Sequence, residues 1–239
     1  MRHESSPPYY LAAMAGISTA LPRHARAISG REVTICPLRL PGDLHVPMNA
    51  GALIVFAHGS GSSRLSPRNR AVARAFNERG MATLLFDLLD PAEELDRRNV
   101  FDIPLLADRL ITAVRSVEHE ADLARLPLGL FGASTGAAAA LVAAARIGSR
   151  IGAVVSRGGR PDLAMPVLNQ VTAPTLLIVG GFDAEVIELN EDALVRLNTE
   201  KALEIVPGAS HLFPEPGALE RVFELAGDWF DRHLVRHSG

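Results

Sequence analysis

The stretch LGLFGASTGAAAALVAAA, residues 128–145, decides the organisation of the chain because it is compatible with two different structures. Residues 126–145 carry no charge, and a segment of this length can cross a membrane as one helix. Alternatively, residues 128–131 form a buried strand and the alanines after Gly136 form a buried helix, with Ser134 at the turn between them. Glycine, serine and threonine crowd the first half and alanine fills the second, so the composition favours the buried strand and helix.

Strand-like and helix-like segments alternate on both sides of this stretch and predict one α/β domain over residues 31–239, with a mostly parallel sheet covered by helices on both faces. The predicted strands are 52–57, 81–87, 127–131, 151–156, 173–180 and 201–206, and the predicted helices are 67–79, 102–120, 134–147, 185–197 and 217–234. Ahead of them, Pro41-Gly42 predicts the turn of an antiparallel hairpin. Residues 1–30 are interpreted as a frayed or loosely docked extension, with a secretory signal as the alternative.

Composition restricts the partners of the chain. A net charge of -3 and a pI near 6.2 provide no basic surface for nucleic acid or for a membrane, so neither partner is expected. The single cysteine, Cys36, cannot form an internal disulfide, which fits a cytoplasmic protein, and we expect it to be a small apolar packing residue.

Gly132-Ala133-Ser134-Thr135-Gly136 has the pattern G-x-S-x-G between a predicted strand and a predicted helix. A serine on so tight a turn presents its hydroxyl above the sheet edge, and glycines on either side leave room for the turn. The N-terminus of the following helix favours negative charge that develops there. The pattern predicts a nucleophilic Ser134, although a glycine-rich turn with an unreactive serine has the same sequence.

A serine hydroxyl needs a base, and the chain has eight histidines. Most of them fall in the N-terminal segment, in the hairpin or on helices, which leaves His58 and His211. His211 follows the last predicted strand, so it lies at the carboxyl edge of the sheet beside Ser134 and is the predicted base. His58 is expected to brace its own loop, and His211 as an ordinary surface-loop residue is the alternative.

The base in turn needs a carboxylate that fixes its tautomer. Asp183 follows the strand after the Ser134 unit and is the predicted partner, although an aspartate there could instead cap the next helix. Asp87 and Asp162 also follow strands, and Glu185 is a fourth candidate.

The segment FAHGSGSS, residues 56–63, follows a strand and precedes the first helix. Its backbone N–H at Ser60, together with that of Thr135, is predicted to hold the oxyanion of an acyl-transfer reaction. A phosphate cradle is the alternative, but the lysine and spacing of G-x-x-x-x-G-K-[ST] are missing.

Taken together, the HGSG loop and the chain order Ser134, Asp183, His211 resemble the α/β-hydrolase superfamily over residues 31–236. The small size and the short 16-residue connection between the strands IGAVVS and APTLLIVG, too short for a large cap, are most similar to the dienelactone hydrolase family. That resemblance implies Ser134 as nucleophile, His211 as base and Asp183 as its orienting acid. We expect no cofactor and no metal. Dienelactone hydrolases proper carry a cysteine where this chain has Ser134, so a serine esterase is expected.

Two arginines bear on the substrate. Arg157 follows a strand whose carboxyl end borders Ser134, and Arg64 extends the oxyanion loop, so the pair is predicted to hold the carboxylate of an anionic ester. The alternative is structural, with Arg157 paired to Asp162 or Asp183 or tied to backbone carbonyls. Thioester hydrolysis, acyl transfer and a hydrolase fold kept for ligand binding are further alternatives that the same residues allow.

Overall fold

The computed structural model describes residues 28–235. The strands are β1 (Ile28–Ile35), β2 (Leu40–Pro47), β3 (Ala52–Ala57), β4 (Met81–Phe86), β5 (Leu128–Ala133), β6 (Ile151–Arg157), β7 (Thr175–Gly180) and β8 (Lys201–Val206). The helices are α1 (Pro67–Glu78), α2 (Pro91–Glu94), α3 (Arg97–Val100), α4 (Ile103–Glu118), α5 (Thr135–Ile147), α6 (Ala184–Arg196) and α7 (Ala218–Leu234), and 3-10 segments cover Gly148–Arg150 and Pro161–Gln170.

The eight strands form one sheet in the order β1-β2-β4-β3-β5-β6-β7-β8. Strand β2 pairs antiparallel with both β1 and β4, whereas all pairings from β4 through β8 are parallel. The predicted fold, a mostly parallel sheet with covering helices, is confirmed. Because parallel strands share one carboxyl edge, the loops after β3, β5, β6, β7 and β8 meet on the same side of the molecule.

The sheet separates two hydrophobic cores. In β3, Leu53 and Val55 pack into the core beneath α4 and α5, while Ile54 and Phe56 pack into the core beneath α1 and α7. Strands buried on both faces need no polar alternation, which explains the uninterrupted apolar runs in the sequence.

Helix α5 is buried over residues 135–144 because it lies between the sheet and neighbouring helical segments. Its alanines let these elements approach closely, so protein rather than lipid surrounds the uncharged stretch. Among residues 28–235, no helix is long and apolar enough to span a membrane.

The predicted hairpin turn was wrong. Pro41 and Gly42 lie inside β2, paired with Thr34 and Val33, and the turn is made by residues 36–39. Arg39 supplies the left-handed conformation of that turn, with φ 59°. Gly42 instead allows a close approach, since a Cβ atom there would lie 3.1 Å from Val33 and 3.2 Å from Phe86.

Two smaller expectations also change. Cys36 is exposed in the hairpin turn rather than packed. The polar segment before α4 contains the short helices α2 and α3, each capped by an aspartate. Strand β1 begins at Ile28, within the segment interpreted as an extension; its residues 1–27, and with them the secretory-signal alternative, lie outside the described residues.

Candidate active site

Ser134 occupies a sharp turn between β5 and α5. Its φ of 51° and ψ of -123° are unfavourable for a residue with a side chain, and such strain concentrates at functional positions. Backbone hydrogen bonds hold the conformation: the Ser134 N–H donates to the Arg157 carbonyl at 3.2 Å, and the Ser134 carbonyl accepts from Arg160 at 3.1 Å. The turn therefore presents Ser134 at the carboxyl edge of the sheet.

Glycines make this turn possible by removing side chains that would collide. A Cβ atom on Gly136 would strike the carbonyl oxygens of Ala57 and His58, and one on Gly132 would strike the backbone of Ala137. A Cβ atom on Gly59 would lie 2.9 Å from that of Ser134. The G-x-S-x-G spacing thus brings β5, α5 and the loop after β3 into close contact around the serine.

Asp183 and His211 form a short pair beside this turn. His211 Nδ1 lies 2.6 Å from Asp183 Oδ2, and both side chains are partly buried. A carboxylate can only accept, so the ring carries its proton on Nδ1 and leaves Nε2 free to take another. Although Asp183 occupies the N-cap position of α6, its side chain makes no capping hydrogen bond.

The other candidate acids are engaged elsewhere. Asp87 accepts from the Arg64 backbone at 2.7 Å, and Asp162 holds the Arg160 guanidinium with two bonds of 2.8 Å. Glu185 is exposed on α6. Among residues 28–235, Asp183 is the one carboxylate bonded to a histidine of the cleft.

Ser134 and His211 line one open cleft of about 760 Å³ with the loop after β3 and the first turn of α1. In the described part of the chain no hydrogen bond joins Ser134 Oγ to His211 Nε2. Contacts of this kind are often long in ligand-free enzymes and tighten when substrate binds. The structure thus brings the predicted nucleophile and base to one cleft without joining them.

The two predicted oxyanion donors differ in whether they already have a hydrogen-bond acceptor. The Ser60 N–H donates to the Thr135 hydroxyl at 3.0 Å, a contact that sequence reasoning missed. The Thr135 N–H, in the first turn of α5, has no acceptor among residues 28–235. The Thr135 N–H is therefore free to donate to an oxyanion. The Ser60 N–H can do so only after it gives up its bond to the Thr135 hydroxyl.

His58, in the loop after β3, connects that loop to the loop after β4. Its Nε2 accepts from the Leu88 N–H at 3.0 Å, so the proton lies on Nδ1, which faces the Gly59 carbonyl at 3.0 Å. Burial lowers the pKa of His58, and a neutral ring satisfies both neighbours. This geometry agrees with the expected bracing role.

The neutral His58 should make stability fall with acid. Below a pH of about 6.5 this histidine is protonated in the unfolded chain but stays neutral in the folded chain. The free energy of unfolding therefore falls by up to about 1.4 kcal/mol for each pH unit. We expect the free energy of unfolding of the wild type to exceed that of His58→Gln at pH 8, with the gap shrinking between pH 6.5 and pH 5. Urea titrations across this range measure the gap, and a gap independent of pH would contradict the assignment.

The two predicted substrate arginines lie in different surroundings. Arg157 is 7% exposed, lines the cleft with Ser134 and makes no ion pair with Asp162 or Asp183. Arg64 instead lies 3.5 Å from Asp87 and is absent from the residues lining the cleft. Arg68, which sequence reasoning missed, takes the place expected of Arg64.

A small apolar pocket of about 110 Å³ adjoins the oxyanion loop. Ser60 and Thr135 border it, and its walls are aliphatic: Leu88, Leu89, Val100 and Leu106. It shares residues 59–62 and Glu94 with the main cleft. The site thus combines an open polar cleft with a restricted apolar recess.

The sheet order and the Ser134 turn define an α/β-hydrolase. The crystal structure of a dienelactone hydrolase from Anabaena variabilis superposes with a TM-score of 0.83 at 53% identity, covering 89% of this chain and 100% of that one. The chain belongs to the dienelactone hydrolase family.

More distant structures share the fold. Est1E from Butyrivibrio proteoclasticus superposes with a TM-score of 0.73 at 16% identity, covering 85% of this chain and 98% of Est1E. The dienelactone hydrolase-like promiscuous phosphotriesterase P91 from metagenomic libraries gives 0.65 at 18%, covering 88% of this chain and 99% of P91.

Curated sequences add a different name. Two proteins of Mycobacterium tuberculosis strains, provisionally named phosphoribosyl transferases, are 57% identical over 203 residues, which is 85% of this chain and 46% of theirs. The chain spans about half of the length of these relatives. No protein-family model matches the chain.

Proposed function

We propose that the chain hydrolyses carboxylic esters through an acyl-enzyme on Ser134, with no cofactor. The observation that carries the proposal is the 2.6 Å contact of Asp183 with His211, in a cleft that also contains the strained Ser134. With its proton held on Nδ1, His211 offers Nε2 as the base for the serine hydroxyl.

The reaction proceeds in two steps. Ser134 Oγ attacks the ester carbonyl as His211 takes its proton, and the Thr135 and Ser60 N–H groups hold the oxyanion. His211 then returns the proton to the leaving alcohol. Water, deprotonated by the same histidine, releases the carboxylic acid and restores the serine.

Other chemistries compete for the same residues. A thioester, or an alcohol in place of water as acyl acceptor, would use Ser134, His211 and Asp183 in the same way. We assign no phosphoribosyl transfer to this chain, because that name describes proteins about twice its length and the cleft fits acyl chemistry. A hydrolase fold kept for binding alone would not need the His211–Asp183 pair.

A fluorophosphonate probe tests the proposal directly, since it labels a serine that a base has activated. Labelling at Ser134, together with hydrolysis of simple acyl esters, would support an esterase. Absence of labelling from a folded protein would favour the binding alternative. Equal turnover of thioesters would extend the activity beyond oxygen esters.

The apolar recess is proposed to take the acyl chain. It opens beside Ser60 and Thr135, where the carbonyl oxygen would lie, so a chain attached to that carbonyl can extend toward Val100. The limited volume favours short acyl groups, because a longer chain would have to remain in water or displace the wall.

Enlarging the recess should shift the preference among acyl esters. Val100→Ala removes two carbons from its wall, and we expect the kcat/KM ratio of a longer to a shorter acyl ester to rise by about 3- to 10-fold. A series of straight-chain esters with one common leaving group measures this ratio. Val195→Ala, the same change at an exposed position on α6, is the control. An unchanged ratio would place the acyl chain elsewhere.

A further inference from the structure

Two arginines without carboxylate partners form one wall of the cleft. Arg157 ends β6 and Arg68 lies in the first turn of α1, and both line the cleft with Ser134. Among residues 28–235, Arg157 Nη1 and Arg68 Nε are buried without a hydrogen-bond partner, and neither residue forms an ion pair. Arg157 is buried and Arg68 half-buried, and arginine is seldom buried without an acceptor, so this wall is suited to binding an anion.

The carboxylates nearby do not supply one. Asp87 is bound to Arg64, Asp162 to Arg160 and Asp183 to His211. Glu94 also lines the cleft, but it is exposed and makes no ion pair with Arg68 or Arg157. The positive charge of the wall is therefore not balanced by neighbouring side chains.

Arg157 is held in place by contacts that leave its charge unbalanced. Its guanidinium lies 6.0 Å from the centre of the Phe131 ring, which supports one face of the group. Burial, and after it the charge of Arg68, lower the pKa of Arg157 to about 10, so the side chain stays charged at neutral pH. The attraction of an anion in the cleft would offset the cost of desolvating Arg157 and its repulsion from Arg68.

The first turn of α1 adds to the positive potential. This 12-residue helix begins with Pro67, which has no N–H, and Ser66 caps Asn69. The first turn contains no acidic residue, and the Arg68 N–H has no acceptor in the part of the chain that is described. A helix N-terminus with a free N–H and an arginine fork suits a phosphate oxygen.

We propose that Arg157, Arg68 and the first turn of α1 bind a phosphate monoester on the substrate, so that the ester cleaved at Ser134 belongs to a phosphorylated molecule. A phosphate monoester carries about two negative charges at neutral pH, which matches two unpaired guanidiniums, whereas one carboxylate would balance only one. The inference rests on the proposed ester hydrolysis for its meaning, but the anion site itself is independent of the serine. It also differs from the glycine-rich loop after β3, which has no lysine and no arginine before Arg64.

Binding to a catalytically inactive protein tests the site alone. Ser134→Ala, titrated calorimetrically with glycerol phosphate and with inorganic phosphate, should bind both, and adding Arg68→Gln should weaken binding on the order of 10- to 100-fold. Arg74→Gln removes the same charge from an exposed position on the same helix and is the matched control. An equal loss in the control, or succinate binding as tightly as phosphate, would overturn the assignment.

Thermal unfolding provides a second readout that separates binding from folding. Removing an unpaired buried cation should not harm the ligand-free protein, so Arg157→Met should unfold at the wild-type temperature or above. Phosphate should raise the unfolding temperature of the wild type and leave that of Arg157→Met unchanged. A variant that unfolds earlier, yet is still stabilised by phosphate, would make Arg157 structural and end the proposal.

Kinetics connects the site to the reaction. The kcat/KM ratio of an acyl ester of glycerol phosphate to the same ester of glycerol should fall on the order of 10- to 100-fold in Arg68→Gln. An unchanged ratio would contradict the site even if both esters are cleaved. Conversely, phosphate binding without hydrolysis of any ester would leave the anion site standing and refute the esterase.

Discussion

Replacement of Ser134 by alanine is expected to abolish ester hydrolysis, with turnover falling on the order of 10⁴-fold or more. The hydroxyl is the nucleophile of the proposed reaction, and the other hydroxyl of the G-x-S-x-G turn, on Thr135, is buried and accepts from the Ser60 N–H. The fold should tolerate the change, because the turn is held by backbone bonds to Arg157 and Arg160 rather than by the serine side chain. Initial rates on a neutral ester, with thermal unfolding of both proteins, measure the two effects.

A second serine of the same cleft provides the control. Ser62 lines the cleft, and Ser62→Ala makes the same chemical change without touching the turn after β5. It should retain most of the activity and the fluorophosphonate labelling that Ser134→Ala loses. Retention of more than about a tenth of wild-type turnover by Ser134→Ala would remove the serine from the mechanism.

The parallel part of the fold was predictable because its inner strands, β3 to β7, are buried on both faces. Runs such as ALIVFA and TLLIVG carry almost no polar residues, and the helices between them show their own period. The hairpin was harder. Pro41 and Gly42 have the composition of a turn but lie within a strand, because Gly42 is needed for close contact with Val33 and Phe86.

Residue order alone could not decide the role of Asp183. An aspartate just before a helix is equally suitable as a cap and as a partner for a histidine, and the difference is the direction of its side chain. In the structure that side chain lies against His211 and not against the backbone of α6. Chain order suggested the pair, and only the fold brings residues 183 and 211 together.

The surroundings of the arginines were beyond sequence reasoning for a similar reason. Arg64, Arg68 and Arg70 lie within seven positions, and their spacing does not say which one faces the cleft. Asp87, in the loop after β4, forms an ion pair with Arg64, and Asp43 of β2 forms one with Arg70. Arg68 has no such partner among residues 28–235 and lines the cleft with Arg157. The two aspartates are distant in the sequence, so a single sequence does not show these pairings.

Asp183→Asn should lower turnover by about 10⁴-fold while the protein stays folded. The amide can donate to His211 Nδ1, which moves the ring proton to Nε2, and a protonated Nε2 cannot accept from Ser134. The change is nearly isosteric and leaves α6 intact, since the Asp183 side chain does not cap that helix. Steady-state kinetics on a neutral ester, beside a thermal unfolding curve, would show a loss of kcat without a loss of stability.

Glu185→Gln is the matched control, because it removes a carboxylate charge two residues away from an exposed position. If Glu185→Gln lowers turnover as much as Asp183→Asn does, the loss comes from the change in negative charge near the site and not from the hydrogen bond to His211. Asp162→Asn should also have a small effect on turnover, since that carboxylate binds Arg160.

The double variant Ser134→Ala/Asp183→Asn tests whether the two residues act as one unit. Its turnover should equal that of Ser134→Ala alone, because the aspartate acts only through the histidine and the histidine acts only through the serine. A further loss of turnover in the double variant would show that Asp183 has a role apart from His211 and Ser134, which would contradict the proposed mechanism.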